Sequence, residues 1–374
     1  MVTLQIVALS SPVRIRNSSL TINCMDTLVS LKEIALVPAV ISEVEHRAEI
    51  DPFYGTKLPI FVSPMTCLIN EHNWDKFYNS KVTPIYPVWH NDYFRLSGNI
   101  EPDGWRAMTL DEFIHFFCAV QASEDVPDGY YHICIDCANG HMKRLLDAVK
   151  DAKQEYGDKL VVMTGNIANP GAYVEYCKAG VDYVRVGIGG NLVCETGSKT
   201  GIHTSLPWLL TNINEQRHSW KFIDWLNEHG LKATKVVADG GVNTIDRAMK
   251  CLALGADYVM MGTMFAQTTE ACGETRQFIS SDGGPTLVER HYYGQASKFG
   301  QIDRFGEASD YEEGSDRWIP ILYTLDDFCL EFEKVLRSLM SYTGKFGLSE
   351  LVGNVEWRIQ THTEFSSFNK KTGR

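Results

Sequence analysis

One cysteine of this chain lies where a reactive thiol would be useful. Cys194 ends the glycine-rich stretch VRVGIGGNLVC (184–194), which follows a strand-like run. Gly187, Gly189 and Gly190 let the backbone turn sharply and approach a ligand closely, and a thiolate is a stronger nucleophile than a serine hydroxyl. The pattern indicates a catalytic thiol, although a buried free cysteine is the usual alternative. The local sequence leaves both interpretations open.

Two longer stretches of the sequence share one strand–helix–turn–strand pattern, and the glycine-rich turn follows the first of them. TGNIANPGAYVEYCKAGVDYVRVG (164–187) and DGGVNTIDRAMKCLALGADYVMMG (239–262) each run from a strand end, through a helix and a turn, to a second strand and a glycine. Strands that alternate with amphipathic helices form parallel sheets. Near-identical βα units at one fixed offset favour a closed barrel over an open sheet.

Further strand-like runs extend this pattern along the chain. They lie at residues 58–64, 82–89, 131–138 and 160–165. The sequence therefore predicts a single-domain (β/α)8 TIM barrel, whose chemistry lies at the C-terminal ends of the strands. We place the barrel at residues 31–351, between an N-terminal extension (1–30) and a C-terminal tail (352–374).

Composition narrows the classes of partner. The chain has 35 Lys and Arg against 47 Asp and Glu, a formal net charge of −12, and no basic run, which disfavours nucleic acid as a partner. We find no apolar stretch long enough to span a membrane and no signal peptide, so we expect a cytoplasmic protein without a membrane partner. The 10 cysteines are then expected to be reduced thiols.

The CxxC pair formed by Cys134 and Cys137 invites a zinc or redox interpretation. Residues three apart in a strand point to opposite faces. No second CxxC or histidine pair completes a set of four ligands. We therefore interpret both cysteines as structural.

Several strand ends carry residues suited to a nucleotide. Asp239, followed by two glycines, is placed to bind both hydroxyls of a ribose. Gly241 and the pair Gly262-Thr263 are each predicted to open a helix, and helix N-termini bind phosphate. Together with the Cys194 thiol, this set indicates a nucleotide that is attacked covalently.

Five motifs together resemble one enzyme family: IDCANGH (135–141), VRVGIGG with VCETGSKTG (184–201), VVADGGVNT (236–244), GADYVMMGTMFAQTTE (255–270) and YYGQAS (292–297). They are similar to the purine-nucleotide oxidoreductases that comprise IMP dehydrogenase and GMP reductase. In that family the loop cysteine attacks C2 of the purine. The dehydrogenase then passes hydride to NAD and hydrolyses the adduct, whereas the reductase expels ammonia and takes hydride from NADPH.

The resemblance implies a role for each matching residue. Cys194 would be the nucleophile, and Thr196 would help to activate water or ammonia. Asp239 would bind the ribose, and Glu313-Gly314 would meet the purine edge. The phosphate would be held by Gly241, Gly262, Thr263 and Tyr292. The remaining substrate contacts would come from Ser63, Met65, Gly240 and Gly294.

The resemblance also implies cofactors and an assembly. Asp136, with Asn139 and Gly140, would contact NADPH or NAD. Backbone carbonyls of Gly187, Gly189 and Cys194 would bind a potassium ion. The substrate would be a purine nucleoside monophosphate. Because members of the family are usually tetramers, the resemblance also implies a homo-oligomer, most simply a homotetramer.

Within the family, most features resemble the reductase. Residues 63–89 run through without the tandem regulatory insert of most dehydrogenases, and IDCANGH, KTG (199–201) and the short segment between Tyr292 and Glu313 are reductase-like. Ser63-Pro64-Met65 is the dehydrogenase's form of that motif, and residues 303–305 faintly resemble its flap Arg-Tyr pair. We favour NADPH-dependent reduction of GMP to IMP, with NAD-dependent oxidation of IMP to XMP as the alternative.

Three departures from the family pattern keep a non-catalytic nucleotide-binding member open. Leu192 stands where both relatives have a phosphate-binding serine. Lys298 stands where the reductase has a glutamate that works with the threonine on ammonia. Trp89-His90 replaces a His-Lys pair at the third strand end, where contacts to the cofactor phosphates are expected.

Overall fold

Eight parallel strands close into a barrel. The computed structural model describes residues 28–90, 103–122, 131–137, 139–190, 195–278 and 287–360. The barrel strands follow one another in chain order, and the first pairs with the last. They are β2 (Ile60–Val62), β3 (Thr83–Tyr86), β4 (Trp105–Met108), β5 (Tyr131–Ile135), β6 (Leu160–Ile167), β7 (Tyr183–Val186), β8 (Lys235–Asp239) and β9 (Tyr258–Met261). This closure confirms the predicted (β/α)8 barrel.

Helices alternate with the barrel strands and continue after them. Those up to the last barrel strand are α1 (Trp74–Tyr78), α2 (Leu110–Ala122), α3 (Lys143–Tyr156), α4 (Pro170–Lys178), α5 (Thr196–Thr200), α6 (Leu206–Arg217), α7 (Trp220–Glu228) and α8 (Ile245–Leu254). Those that follow are α9 (Thr263–Ala266), α10 (Lys298–Phe305), α11 (Leu325–Thr343) and α12 (Leu348–Leu351). The longest, α11, starts with a capping box between Thr324 and Asp327 that satisfies its first amides.

Alternation along the strands produces two apolar layers. Neighbouring residues of a strand point to opposite faces, so Phe61 joins an inner cluster while Ile60 and Val62 pack in the layer that also contains the helices. Trp105, Met163 and other inner residues fill the barrel as a solid core. The core supports the strand ends at which the predicted site lies.

Two parts of the fold had no counterpart in the sequence pattern. Strand β4 was not predicted because Arg106 interrupts its short apolar run. After the barrel, β10 (Thr275–Phe278), β11 (Leu287–Tyr293) and β12 (Asp316–Pro320) form an antiparallel sheet, with α10 between the last two strands. We call residues 273–320 the excursion.

The ends of the described chain meet each other. Strand β1 (Ile34–Leu36) pairs antiparallel with β13 (Trp357–Ile359), which lies in the predicted C-terminal tail. Most of the predicted extension (1–27) and the end of the tail (361–374) fall outside the described residues. None of the helices in the described ranges combines the length and the apolar character needed to cross a membrane.

Candidate active site

An open cavity lies at the C-terminal ends of the barrel strands, as predicted. Its barrel wall consists of Ser63, Pro64, Met65, Asp136, Asn166, Arg185, residues 187–190, Thr196, Asp239, Gly240 and Met260. Its excursion wall consists of Gly294, Gln295, Ala296, Glu313 and Gly314. The closed barrel and the excursion thus bring together residues that are far apart in the sequence.

Asp239 is fixed at the end of β8 by two polar neighbours. Its Oδ2 accepts a hydrogen bond from Asn166 Nδ2 at 2.9 Å and lies 3.8 Å from Arg185 Nη1. Burial raises the pKa of Asp239 above its usual value, and Arg185 and Asn166 oppose that rise. The result is a carboxylate in a dry setting with a fixed direction, which suits the binding of ligand hydroxyls.

Arg185 is the buried cation that joins two carboxylates. Its side chain is only 5% exposed, and its Nη2 lies 3.4 Å from Asp136 Oδ1. Burial disfavours the charged guanidinium, but Cys134, Asp136 and Asp239 outweigh burial and raise the pKa of Arg185. Arg185 therefore stays charged and holds both carboxylates at the strand ends.

Asp136 receives a second arginine from the excursion. Arg304 Nη2, on α10, lies 3.3 Å from Asp136 Oδ2 and also donates to the Asp136 carbonyl at 3.3 Å. The segment 303–305, which only faintly resembles a family motif, thus reaches the edge of the cavity. This contact closes the excursion onto the barrel.

Hydroxyl groups gather around Gly262 beside the cavity. A Cβ at Gly262 would lie 2.6 Å from Tyr292 Oη and 3.0 Å from Met65 Sδ, so a side chain there is excluded. Thr263 Oγ1 donates to Tyr292 Oη at 3.4 Å, and Ser63 Oγ lies 3.5 Å from the same Cβ position. These three hydroxyls are buried and form a group of neutral donors at the site.

Gly241 differs from its prediction. Helix α8 begins at Ile245, so Gly241 does not open it, whereas Gly262 does directly precede α9. Gly241 has a φ of 80°, and a Cβ there would lie 2.8 Å from the Gly190 carbonyl oxygen. It is glycine because two loops pass closely, which is a second reason for glycine besides a helix start.

The glycine-rich turn after β7 is packed against the end of β8. Gly187 has a φ of 120°, and a Cβ there would lie 2.4 Å from the Asp239 carbonyl oxygen. The Gly187 carbonyl accepts from Asn166 Nδ2 at 3.0 Å. The structure thus places the start of this turn on the cavity, while Cys194 and Leu192 lie outside the described residues.

Thr196 and Glu313 connect the two walls. Thr196 Oγ1 donates to Glu313 Oε2 at 2.8 Å, and the backbone amide of Glu195 donates to the Glu313 carbonyl at 2.9 Å. Lys298 lies nearby but is exposed, and its backbone amide donates to Glu312 Oε2 at 2.8 Å. A carboxylate therefore stands beside the threonine even though Lys298 replaces a glutamate.

The residues expected near the cofactor have structural contacts of their own. Asn139 Oδ1 accepts from the His141 amide, and a Cβ at Gly140 would lie 2.5 Å from the Asn166 carbonyl oxygen. Trp89 Nε1 donates to the Ile69 carbonyl, and the His90 amide donates to the Asp303 carbonyl at 2.6 Å. His90 of the unusual Trp89-His90 pair thus supports α10, whereas Trp89 is bonded to the segment that follows β2.

Sequence reasoning gave no role to several residues of this site, among them Arg185 and Gln295. Arg185 carries a signal in the sequence, because a charged residue occupies an inward position of an otherwise apolar strand. Gln295 lies inside the YYGQAS motif, next to Gly294, but its own side chain was given no role. The thiols of the CxxC pair differ from a reactive pair: burial raises the pKa of Cys134 to about 12 and also raises that of Cys137.

Comparison with known proteins identifies the family of this chain. A family model described as the IMP dehydrogenase / GMP reductase domain matches residues 120–367. The chain belongs to this family. The resemblance found in the motifs is thereby confirmed.

The similar proteins include both GMP reductases and an IMP dehydrogenase. The GMP reductase of Shouchella clausii is 28% identical over 362 residues, which are 91% of this chain and 98% of the relative. The GMP reductase of Bacillus subtilis is also 28% identical, over 91% of this chain and 99% of its own length. The IMP dehydrogenase of Chlorobaculum parvum is 33% identical over 64% of this chain but only 46% of its own length. The chain is therefore a GMP reductase-like oxidoreductase of this family.

Proposed function

We propose that this protein reduces GMP to IMP with NADPH and releases ammonia. The observation that carries the proposal is the 2.8 Å hydrogen bond from Thr196 to Glu313, which supports a carboxylate beside a threonine that follows Cys194 by two residues in the sequence. A carboxylate accepts hydrogen bonds from N–H groups, and guanine offers its 2-amino group at this edge of the base, whereas hypoxanthine has no amino group there. The similarity to two GMP reductases, which extends over nearly their whole length, supports the same activity.

The two walls divide the substrate between them in this proposal. Asp239, with Gly240 beside it, accepts hydrogen bonds from the ribose hydroxyls. The hydroxyls around Gly262, together with Gly241, bind the phosphate. Glu313, with Gly294 and Gly314, lies along the base, and Met65 packs against it.

The residues of the chain account for the bonds that change. The Cys194 thiolate adds to C2 of the purine, and the 2-amino group leaves as ammonia after gaining a proton, which gives a C2–S thioimidate. Glu313 takes up that proton from solvent and relays it to the amino group through the Thr196 hydroxyl. NADPH, when bound beside Asp136, would supply the hydride that C2 requires. As C2 takes up the hydride, the C2–S bond breaks and Cys194 becomes a thiolate again.

Asp136 fits a role beside the cofactor, since it lines the cavity and two arginines hold its direction. Asn139 and Gly140 follow it in the same loop. We also propose a potassium site formed by carbonyls of Gly187, Gly189 and Cys194, although the Gly187 oxygen already accepts one hydrogen bond from Asn166. As in the family, a cytoplasmic homotetramer is the proposed state.

One observation favours the alternative, an IMP dehydrogenase. Arg304 reaches Asp136 at the cavity edge, and an arginine there would help to activate the water that hydrolyses a thioimidate. The Ser63-Pro64-Met65 motif agrees with this. The dehydrogenase would use the same Cys194 adduct on IMP, with NAD as the hydride acceptor.

Cofactor absorbance distinguishes these activities. Purified protein in potassium buffer is given NADPH with GMP, or NAD with IMP, alongside Cys194→Ala. Consumption of NADPH with GMP, lost in Cys194→Ala while calorimetry still detects GMP binding, is the expected result. Reduction of NAD with IMP would identify a dehydrogenase. Absence of both reactions despite nucleotide binding would identify the non-catalytic member that Leu192 and Lys298 suggest.

A further inference from the structure

Gln295 lies in a rigid turn of the excursion wall. The amide of Gly294 donates to the Ser315 carbonyl at 3.1 Å, and the amide of Ser297 donates to the Gly294 carbonyl at 3.0 Å. A Cβ at Gly300 would lie 2.7 Å from Gln295 Cα, so the start of α10 packs directly on this backbone. The backbone of Gln295 is therefore held in place at the cavity.

The side-chain amide of Gln295 is buried and unpaired. Within the described parts of the chain, Oε1 and Nε2 have no hydrogen-bond partner although both atoms are inaccessible to solvent. Gln301, one turn into α10, shows the opposite: its Nε2 donates to the Ala296 and Tyr311 carbonyls, and its Oε1 accepts from the Ser309 amide at 2.6 Å. Folding rarely leaves a buried amide without partners, because water is lost and nothing replaces it.

Gln295 is a close neighbour of the carboxylate assigned to the base. The amide of Glu313 donates to the Ala296 carbonyl at 3.3 Å, so the two segments run side by side along one wall. Glu313 offers acceptors only. The carboxamide of Gln295 offers a donor and an acceptor on one rigid plane.

We propose that Gln295 turns from its buried position to bind the lactam of a 6-oxopurine, and so determines specificity for the base. Its Nε2–H donates to the C6 oxygen and its Oε1 accepts from N1–H, which leaves Glu313 for the 2-amino group. A primary amide and a lactam are complementary in this way because each presents one donor next to one acceptor. The inference rests on the proposed function, in which GMP is the substrate.

Calorimetric titration with two nucleotides tests this assignment. GMP is compared with 2-aminopurine riboside 5′-monophosphate, which keeps the 2-amino group, ribose and phosphate but lacks the C6 oxygen and the N1 proton. The wild-type protein is expected to prefer GMP by about tenfold or more in Kd, the value of two neutral hydrogen bonds. Gln295→Met removes the amide at similar volume, and we expect it to lose most of that preference by weakening GMP binding alone.

Thermal unfolding of the ligand-free protein supplies a second readout. Gln295→Met should raise Tm by about 2–4 °C, because an unpaired buried amide is replaced by an apolar side chain. The matched variant Gln301→Met should lower Tm, since it breaks three hydrogen bonds, while keeping the preference for GMP.

Each negative result has a separate meaning. If wild type binds GMP and Gln295→Met keeps the full preference, the assignment of Gln295 is overturned while the proposed function stands. A lower Tm for Gln295→Met with unchanged nucleotide preference would overturn it as well. If wild type binds no GMP at all, the proposed function fails, and the assignment of Gln295 fails with it.

Discussion

The two walls of the cavity are held by different kinds of interaction. On the barrel wall, Asp239 and Asp136 meet around the buried Arg185, at the ends of strands that a closed barrel fixes. The excursion wall comes from an added antiparallel sheet and reaches the barrel through Thr196–Glu313 and Arg304–Asp136. Changes in the barrel wall are therefore expected to affect stability, and changes in the excursion wall to affect turnover and choice of base.

The largest expected effect is on the barrel wall. Arg185→Met leaves two carboxylates without their shared cation and should lower the free energy of unfolding by about 3–5 kcal/mol. Urea denaturation followed by tryptophan fluorescence measures it. Arg185→Lys keeps a charge and should lose less. If Arg185→Met were as stable as wild type, the buried charge cluster would not be what holds this wall.

On the excursion wall, Glu313→Gln should reduce turnover of GMP by about 10²-fold, because an amide cannot deliver the proton that the leaving amino group needs. The unfolding free energy should stay close to that of wild type. Thr196→Ala serves as the partner variant: if the two residues form one relay, the double variant should be no slower than the slower single variant. Additive losses would contradict the relay.

The pH dependence sharpens the comparison at Asp239. Burial raises the pKa of Asp239, so the folded protein binds a proton at this residue more tightly than the unfolded chain does. Protonation of Asp239 therefore stabilises the folded state at low pH, and this stabilisation is lost as pH rises through the raised pKa. The affinity for GMP is expected to change with pH in the opposite direction, because the ionised carboxylate is the better acceptor of hydrogen bonds from the ribose hydroxyls. Calorimetry between about pH 4 and pH 8 should show GMP affinity rising through that pKa. Asp239→Asn should bind weakly at every pH, and a parallel rise in that variant would assign the dependence to another group.

The smallest effect is expected at Lys298, which is exposed on the excursion. Lys298→Ala should leave turnover within about twofold of wild type, because Glu313 already supplies the carboxylate beside Thr196. Steady-state rates with GMP measure this. A loss as large as that of Glu313→Gln would show that Lys298 takes part in the chemistry.

Much of the barrel could be predicted from the sequence, because its strands are apolar runs of regular spacing that end in glycine. The strand β4 escaped prediction, since Arg106 breaks its short apolar pattern. The excursion sheet escaped as well, because antiparallel pairing after the barrel leaves no repeat to detect. At the site, Asp239 and Thr196 were found from motifs, whereas Gly241 was assigned to a helix start that lies four residues later, at Ile245.

Apolar periodicity and local motifs are properties of neighbouring residues, so they are enough to predict the barrel, the family and the residue types at the strand ends. Which side chains meet depends on how distant segments pack in the folded chain. The Arg185 cluster, the Thr196–Glu313 bond and the unpaired amide of Gln295 each depend on segments far apart in the chain. Closure of the barrel and docking of the excursion set those distances, and no local pattern encodes them.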